Sequence, residues 1–410
     1  MDKEFLTKTS RSVTLNVTAG KIDSFREKEE TTSTVRVYED GFVGIAGSLG
    51  RPDEETLTSK AKDALELRIP YPCALEGELD EGVLEREVRN EKEIIPVPKL
   101  IPTMRSFLDR LGEECPRFAF SNKIGLKNED AEYRNSCGRH LVSSTGRLSI
   151  NLIAQNRGSG NLFDSAFGYS GDHFDEDALI SKFKEQYDAF YKDVDLESGR
   201  YPVVFEASDL MGKFLQQFVG ELYVAGASLL SGKLGQDVFS EKLTFQDDMN
   251  PYSHPGTCFF DDEGCVAKNY RPTLIERGRL VNLLTTKKSS SQFGLSNLGT
   301  AVAPYDGVPS LGFHGFYLEP TAESLRELVP GKAIFVVLAS GGDMTPDGHF
   351  ATPVQMSYLM EDGRLVGRLP ELNVSGDFFN LLEKDYIGAS CGDPLDNSRM
   401  CAVMMDVARS

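Results

Sequence analysis

The chain has 410 residues, 40% of them hydrophobic and 26% charged, a balance that suits a globular protein of two or three domains with ample length for a core. Its formal net charge of −19 opposes binding to a phosphate backbone, so nucleic acid is not expected as a direct partner. The opening MDKEFLTKTSRSVTL lacks the apolar core of a secretory signal, no run of roughly 18 apolar residues suits a membrane span, and the seven cysteines are scattered without a CxxC pair; a cytoplasmic protein with reduced thiols and no membrane contact is expected.

In chain order, SVTLNVTAGKIDSFREKEETTSTVRVYEDGFVGIAGS carries β-branched residues at period two, broken at Ala19-Gly20 and Glu39-Asp40-Gly41, and reads as an antiparallel unit of three or four strands. PDEETLTSKAKDALEL follows as a helix with Pro52 and acids at its start. Residues 1–67 form a first α+β subdomain. Residues 68–99, with Pro70, Pro72, Pro96 and Pro98, read as a linker. A middle α+β subdomain, 100–198, opens with the helix MRSFLDRLGEE and closes with an amphipathic helix begun at Asp175-Glu176-Asp177. The remainder, 199–410, is a β-rich domain. It starts with the strand YPVVFE and continues into a helix, capped by Ser208, with apolar residues at Leu210, Phe214, Leu215, Phe218, Val219, Leu222 and Val224. Hairpins follow, with turns at Asp262-Glu263-Gly264, Glu276-Arg277-Gly278 and Asp362-Gly363. The expected class is α+β: an N-terminal antiparallel sheet with helices, then a large, mostly antiparallel sheet or open barrel.

The chemistry-bearing motifs are sparse. GxxxxGK[ST], GxSxG and a strand-linked GxGxxG are missing from the sequence, so nucleotide binding is unsupported. His173, beside Asp172 and Asp175, reads as a helix start rich in caps and acids. His254, Cys258, Asp261 and Cys265 are zinc-ligand types, but their spacing matches no closed zinc motif. Cys258 and Cys265 read instead as small strand residues on either side of the DDEG turn. Ser289–Ser291 sit in a loop without a motif-placed base, and SGGDMTPDGH at 340–349 is a second notable loop.

The order of these pieces resembles the TldD/PmbA family, and its PmbA (TldE) side more than its TldD side. The residues that carry the resemblance are TAGKIDSFREKEETTSTVRVYEDGFVGIAGS, YPVVFEASDLMGKFLQQFVGE, SGKLGQ, FFDDEGCVAKNYRPTLIERGRLVNLLTTKKSSSQFGLSNLG and YLMEDGRLVGRLPELNVSGDFFNLLEKDYIGAS. TldD-type members carry an H-E-x-x-x-H helix whose histidines hold zinc and whose glutamate acts as base. The resemblance places those three positions on Gln216, Gln217 and Glu221 and the family's third ligand, a cysteine, on Cys401. A neutral amide is a poor zinc ligand and cannot accept a proton as a base. The resemblance therefore implies a chain without catalytic residues or cofactor of its own, with zinc in a TldD-type partner. It also implies a dimer, with that partner or with itself, around extended peptides bound by strand addition. Two other functions stay open on sequence: a stand-alone peptidase using His254, Cys258 and Cys265 or Ser289–Ser291, and a homodimeric peptide-binding protein without hydrolysis.

Overall fold

The computed structural model describes residues 1–77, 87–89, 94–253, 256–391 and 398–409. The first layer is an eight-stranded sheet. Its strands are β1 (Asp2–Thr18), β2 (Lys21–Glu39), β3 (Phe42–Leu49), β4 (Ile69–Pro70), β5 (Glu87–Arg89), β6 (Phe118–Asn135), β7 (His140–Asn156) and β8 (Ser165–Gly171). They run in the order β4-β3-β2-β1-β6-β7-β5, with β8 also on β7. The pairing of β1 with β6 (Leu15 opposite Ile124, Leu6 opposite Tyr133) puts the strands of 1–67 and 100–198 in one sheet. The tract 68–99 is not all linker: β4 and β5 add strands to this sheet, and a helix has already begun within it.

The two faces of this sheet serve different neighbours. On one, α1 (Glu54–Asp63) covers Phe5, Val35 and Val37 through Leu57 and Ala61. Farther along the same face, α2 (Val97–Glu114) and α3 (Glu176–Phe190) cover Val13, Leu15, Ile124, Leu126 and Ile150. The alternation of apolar residues along β1 and β6 makes that face possible. α2 starts at Val97, earlier than its apolar repeat suggests, because Pro98 lies in the first turn, where its missing N–H costs nothing. Asp175 caps α3 by accepting the Ala178 N–H at 3.0 Å. The other face, carrying Glu4, Leu6 and Tyr133, packs against loops of the C-terminal half.

The C-terminal half begins with β9 (Gly199–Glu206), α4 (Ala207–Phe214) and α5 (Gly220–Val224). A small sheet follows: β10 (Phe245–Asp247), β11 (Thr273–Glu276) and β12 (Arg279–Leu280), joined later by β15 (Phe316–Leu318). Between them lie α6 (Lys287–Phe293) and the pair β13 (Ala301–Val302) and β14 (Ser310–Leu311). The remaining strands are β16 (Lys332–Leu338), β17 (Asp343–Met344), β18 (His349–Val354), β19 (Met356–Glu361), β20 (Arg364–Arg368), β21 (Leu372–Asp377), β22 (Tyr386–Ala389) and β23 (Met400–Arg409). With β9 they build a nine-stranded sheet in the order β17-β18-β21-β23-β9-β16-β19-β20, β22 pairing with β23. Every contact in it is antiparallel except β9 with β16. The sheet is open, so of the two expected forms it is the sheet and not a barrel. Asp40-Gly41, Arg277-Gly278 and Asp362-Gly363 all take positive φ at their turns, the geometry that a two-residue hairpin loop requires.

Candidate functional site

The segment that the sequence suggests is one helix from Ser208 onward is broken. Helix α4 gives way to a 3₁₀ turn, Leu215–Phe218; Val219 is extended (φ −71°, ψ 122°), and α5 follows. The apolar repeat still describes what is buried. Phe214 meets Phe350 and Phe378, with ring centroids 5.1 and 5.2 Å away, and Phe218 meets Phe245 at 5.7 Å. The break is held from outside: Leu284 N donates to Phe218 O at 2.8 Å, and Gly220 N donates to Leu284 O at 3.0 Å. A Cβ on Gly220 would come within 3.1 Å of Leu284 O, so the close approach calls for glycine. Ser208 is not the cap. It lies inside α4 and donates to Glu206 Oε1 at 3.0 Å.

The three positions singled out by the resemblance have different surroundings. Gln216 is exposed. Gln217 is half-buried; its Oε1 accepts the Leu229 N–H at 2.8 Å while its carbonyl accepts the Ser228 hydroxyl at 2.6 Å. Glu221 is half-buried, and its Oε2 is enclosed without a hydrogen-bond partner among the described residues. In an unbroken helix, residues five apart would point about 140° away from each other, so the break at Val219 resets the phase between 216 and 221. Cys401 lies on β23, fully buried, opposite Phe205 on β9 and Ala389 on β22. Burial, with a smaller contribution from Asp209, pushes its thiol up to about 12, far from the thiolate that a metal needs.

The other candidate ligands do not form a site either. His254 lies outside the described residues. Cys258 and Cys265 are in loops, not strands. Asp261 organises the turn between them. Its Oδ1 accepts the N–H groups of Glu263 (3.0 Å) and Cys265 (2.8 Å), and its Oδ2 accepts that of Ala301 (2.9 Å). Burial pushes the Cys258 thiol up to about 12 and the Cys265 thiol well above its usual range, and Cys265 Sγ accepts a hydrogen bond from Asn297 Nδ2 at 3.1 Å. Among the described residues, no group of three or more His, Cys, Asp or Glu side chains could hold a metal ion. With one amide committed to the backbone, the other exposed and the cysteine held as a thiol, the donor set does not fit zinc. Ser289–Ser291 belong to α6, not to a loop. Thr286 and Ser289 form a capping box at its start, and Ser290 Oγ bonds back to Lys287 O at 3.0 Å.

A buried ionic junction escaped the sequence reading. Glu4 and Arg36 are direct cross-strand partners on β1 and β2, each 1% exposed, with Arg36 Nη1 2.7 Å from Glu4 Oε1. Tyr38 and Tyr133 donate to the two Glu4 oxygens at 2.8 Å each. From the C-terminal half, Asp262 O accepts Arg36 Nη1 at 2.7 Å, and Lys287 Nζ lies 3.8 Å from Glu4 Oε2. Glu263 accepts the Tyr71 hydroxyl and the Lys287 N–H, the latter at 2.9 Å, while Lys8 pairs with Asp262. Burial opposes ionisation of Glu4, yet Lys287 and then Arg36 hold its carboxyl below the usual range. Burial, then Asp261, pushes the Glu263 carboxyl up to about 7. A run of three acids after two phenylalanines, FFDDEG, was the available signal, since acids beside apolar residues need buried partners.

Similarity to known proteins places this open α+β fold among metallopeptidase-related proteins. Residues 198–395 match the PmbA/TldA metallopeptidase C-terminal domain. A metalloprotease of Archaeoglobus fulgidus is 24% identical over 92% of this chain and 89% of its own length. The zinc metalloprotease TldD homolog of Saccharolobus solfataricus is 25% identical over 64% of this chain and 62% of its own. Among solved structures, TldE from Thermococcus kodakarensis superposes with a TM-score of 0.81 at 18% identity, covering 100% of this chain and 97% of that one, and so shares the fold. Residues 198–395 are thus a domain of the PmbA/TldA metallopeptidase type, and similarity to TldD-type proteins runs along most of the chain.

Proposed function

We propose that this chain is a non-catalytic, zinc-less subunit of a TldD-type metalloprotease, acting in the cytoplasm on unfolded peptides. The observation that carries the reading is Gln217. At the position where the family's base stands, this chain has an amide whose oxygen accepts the Leu229 N–H at 2.8 Å. That group closes a loop and cannot take a proton from water. Gln216 beside it is a neutral amide, a weak ligand for zinc, and the Cys401 thiol is pushed up by burial to about 12. The hydrolytic zinc then belongs to a TldD-type partner chain, and this subunit completes the chamber in which an extended peptide is held by main-chain hydrogen bonds.

Zinc content and hydrolysis test this reading together. The purified chain is expected to hold far less than one zinc per molecule and to leave unfolded peptides intact. Addition of a zinc-bearing TldD-type chain from the same cell should produce hydrolysis and a complex of the two. Stoichiometric zinc or peptide cleavage by the chain alone would overturn the proposal. Peptide affinity in a self-dimer, with no partner found, would favour a sequestering protein.

A further inference from the structure

A cavity lies away from the Gln216–Glu221 segment. It has a volume of about 580 Å³ and runs between β7, β8 and α3 on one side and β16, the β9–α4 junction and the start of β23 on the other. That size suits a ligand on the scale of a short peptide. Phe316, Phe335 and Val336 supply apolar wall.

Groups of both signs line it: Arg147, Lys182, His314 and Arg399, and the carboxylates Glu206, Asp209 and Asp248, the last paired with Arg271 at 3.0 Å. His314 is fixed by Asp247, which is fully buried. Asp247 Oδ2 lies 2.9 Å from His314 Nδ1, while Oδ1 accepts the N–H groups of His314 (2.7 Å) and Gly315 (2.8 Å). The carboxylate therefore sets the ring's orientation and its Nδ1 proton, leaving Nε2 without a partner among the described residues. Burial disfavours the imidazolium, but the bond to Asp247 outweighs it and holds the histidine above its usual range. Arg399 also lines the cavity, its guanidinium 5.0 Å from the Tyr317 ring centroid. At the β9–α4 junction, Asp209 brings a carboxylate to the same space, beside Glu206, whose Oε1 already accepts the Ser208 hydroxyl. Asp209 is raised by burial, and Lys213 only partly offsets that. The Lys213 ammonium is directed elsewhere, to the carbonyls of Ala339 (3.0 Å) and Gly341 (2.9 Å).

We propose that this cavity binds a short peptide by its two free ends, its carboxylate at His314 and Arg399 and its ammonium at Asp209. An N–H from His314 Nε2 and the Arg399 fork are charge-assisted donors for a carboxylate. An incoming ammonium gives Asp209 the counter-charge that burial makes costly to lack. The site rests on the peptide-handling reading above and adds to it a place for short products or substrates with both termini unblocked.

Calorimetric titration of the full-length chain with the tripeptide Ala-Phe-Val, its C-terminal amide and its N-acetyl derivative tests the site. The free tripeptide should bind. Each cap should weaken binding by about tenfold, as expected when a charged hydrogen-bonding group is removed. His314→Gln should lose affinity for the free acid but bind the amide as the parent chain does. Asp209→Asn should become insensitive to N-acetylation. A thermal melt confirms that each variant is folded, and Arg399→Gln gives a second probe of the carboxylate end. No binding at millimolar tripeptide, or caps that change nothing in the parent chain, would overturn the inference. Repeating the titration on the complex with a zinc-bearing partner separates the two readings. Hydrolysis without sensitivity to the caps would sink this site alone. Cap-sensitive binding without hydrolysis in any complex would sink the subunit reading alone.

Discussion

Two polar interiors of this molecule are built on opposite terms. At the junction between the first sheet and the C-terminal half, Glu4 receives hydrogen bonds from Arg36, Tyr38 and Tyr133 and faces Lys287. In the Gln216–Glu221 segment, one amide serves a backbone N–H and Glu221 Oε2 has no hydrogen-bond partner among the described residues. The contrast teaches where this fold needs charge. In the junction the Glu4, Asp262 and Glu263 side chains all have hydrogen-bond donors, and the network ties the two halves together. The Gln216–Glu221 segment is shaped by its aromatic neighbours and by Leu284, so its polar side chains are free to change without loss of the fold. Even the junction is incomplete, since Arg36 Nε and Nη2 lack partners among the described residues.

Breaking the junction should have the largest effect. Arg36→Met leaves the Glu4 carboxylate buried without its cross-strand cation, and unfolding by denaturant is expected to show a loss of about 3–5 kcal/mol. Gln217→Ala should cost less, about 1–3 kcal/mol, because it orphans the Leu229 N–H in a half-buried place. A Gln217→Ala loss as large as that of Arg36→Met would erase the distinction drawn above.

The pH dependence sharpens the comparison further. The folded Glu263 carboxyl, up at about 7 against an ordinary value of 4.5, binds its proton more tightly than the unfolded chain does. Its contribution to stability is thus full below the ordinary value and is lost as pH rises through about 7. Glu263→Gln should therefore gain in melting temperature relative to the parent chain between pH 5 and pH 8, by differential scanning fluorimetry. Asp261, also raised by burial, leaves part of the slope in the variant. A difference independent of pH would show that Glu263 is ionised throughout. The smallest effect belongs to Glu221→Gln. It removes a charge without removing a hydrogen bond at Oε2, and a change of less than about 1 kcal/mol is expected.

What the sequence made legible was local. The turns at Asp40-Gly41, Arg277-Gly278 and Asp362-Gly363 follow from residues that tolerate positive φ, and α3 follows from Asp175 and its apolar stripe. The union of β1 with β6 did not follow, because strand pairing across unrelated stretches leaves no local mark. Nor did the break at Val219: the apolar period continues through it, and the cause is Leu284 in a different part of the chain. The loop placement of Cys258 and Cys265 depends on three N–H groups gathered by Asp261, one of them from Ala301. The helix at Ser289–Ser291, by contrast, was within reach, since Thr286 three residues ahead of Ser289 is a capping-box spacing. For the candidate site, the sequence singled out Gln216, Gln217 and Glu221, but not that Gln217 would be tied to Leu229. His314 carried no motif at all, because its partner Asp247 is distant in sequence.

The junction also sets an order of events during synthesis. Glu4 and Arg36 leave the ribosome early, whereas Asp262, Glu263 and Lys287, which complete their surroundings, emerge more than two hundred residues later. At ~5–20 residues per second that interval lasts roughly ten seconds to a minute. Through it the nascent β1–β2 hairpin can pair Glu4 with Arg36 but lacks Asp262 and Lys287, and water must solvate that face in their place. The first sheet can therefore form as a hairpin but cannot seal until most of the chain has been made.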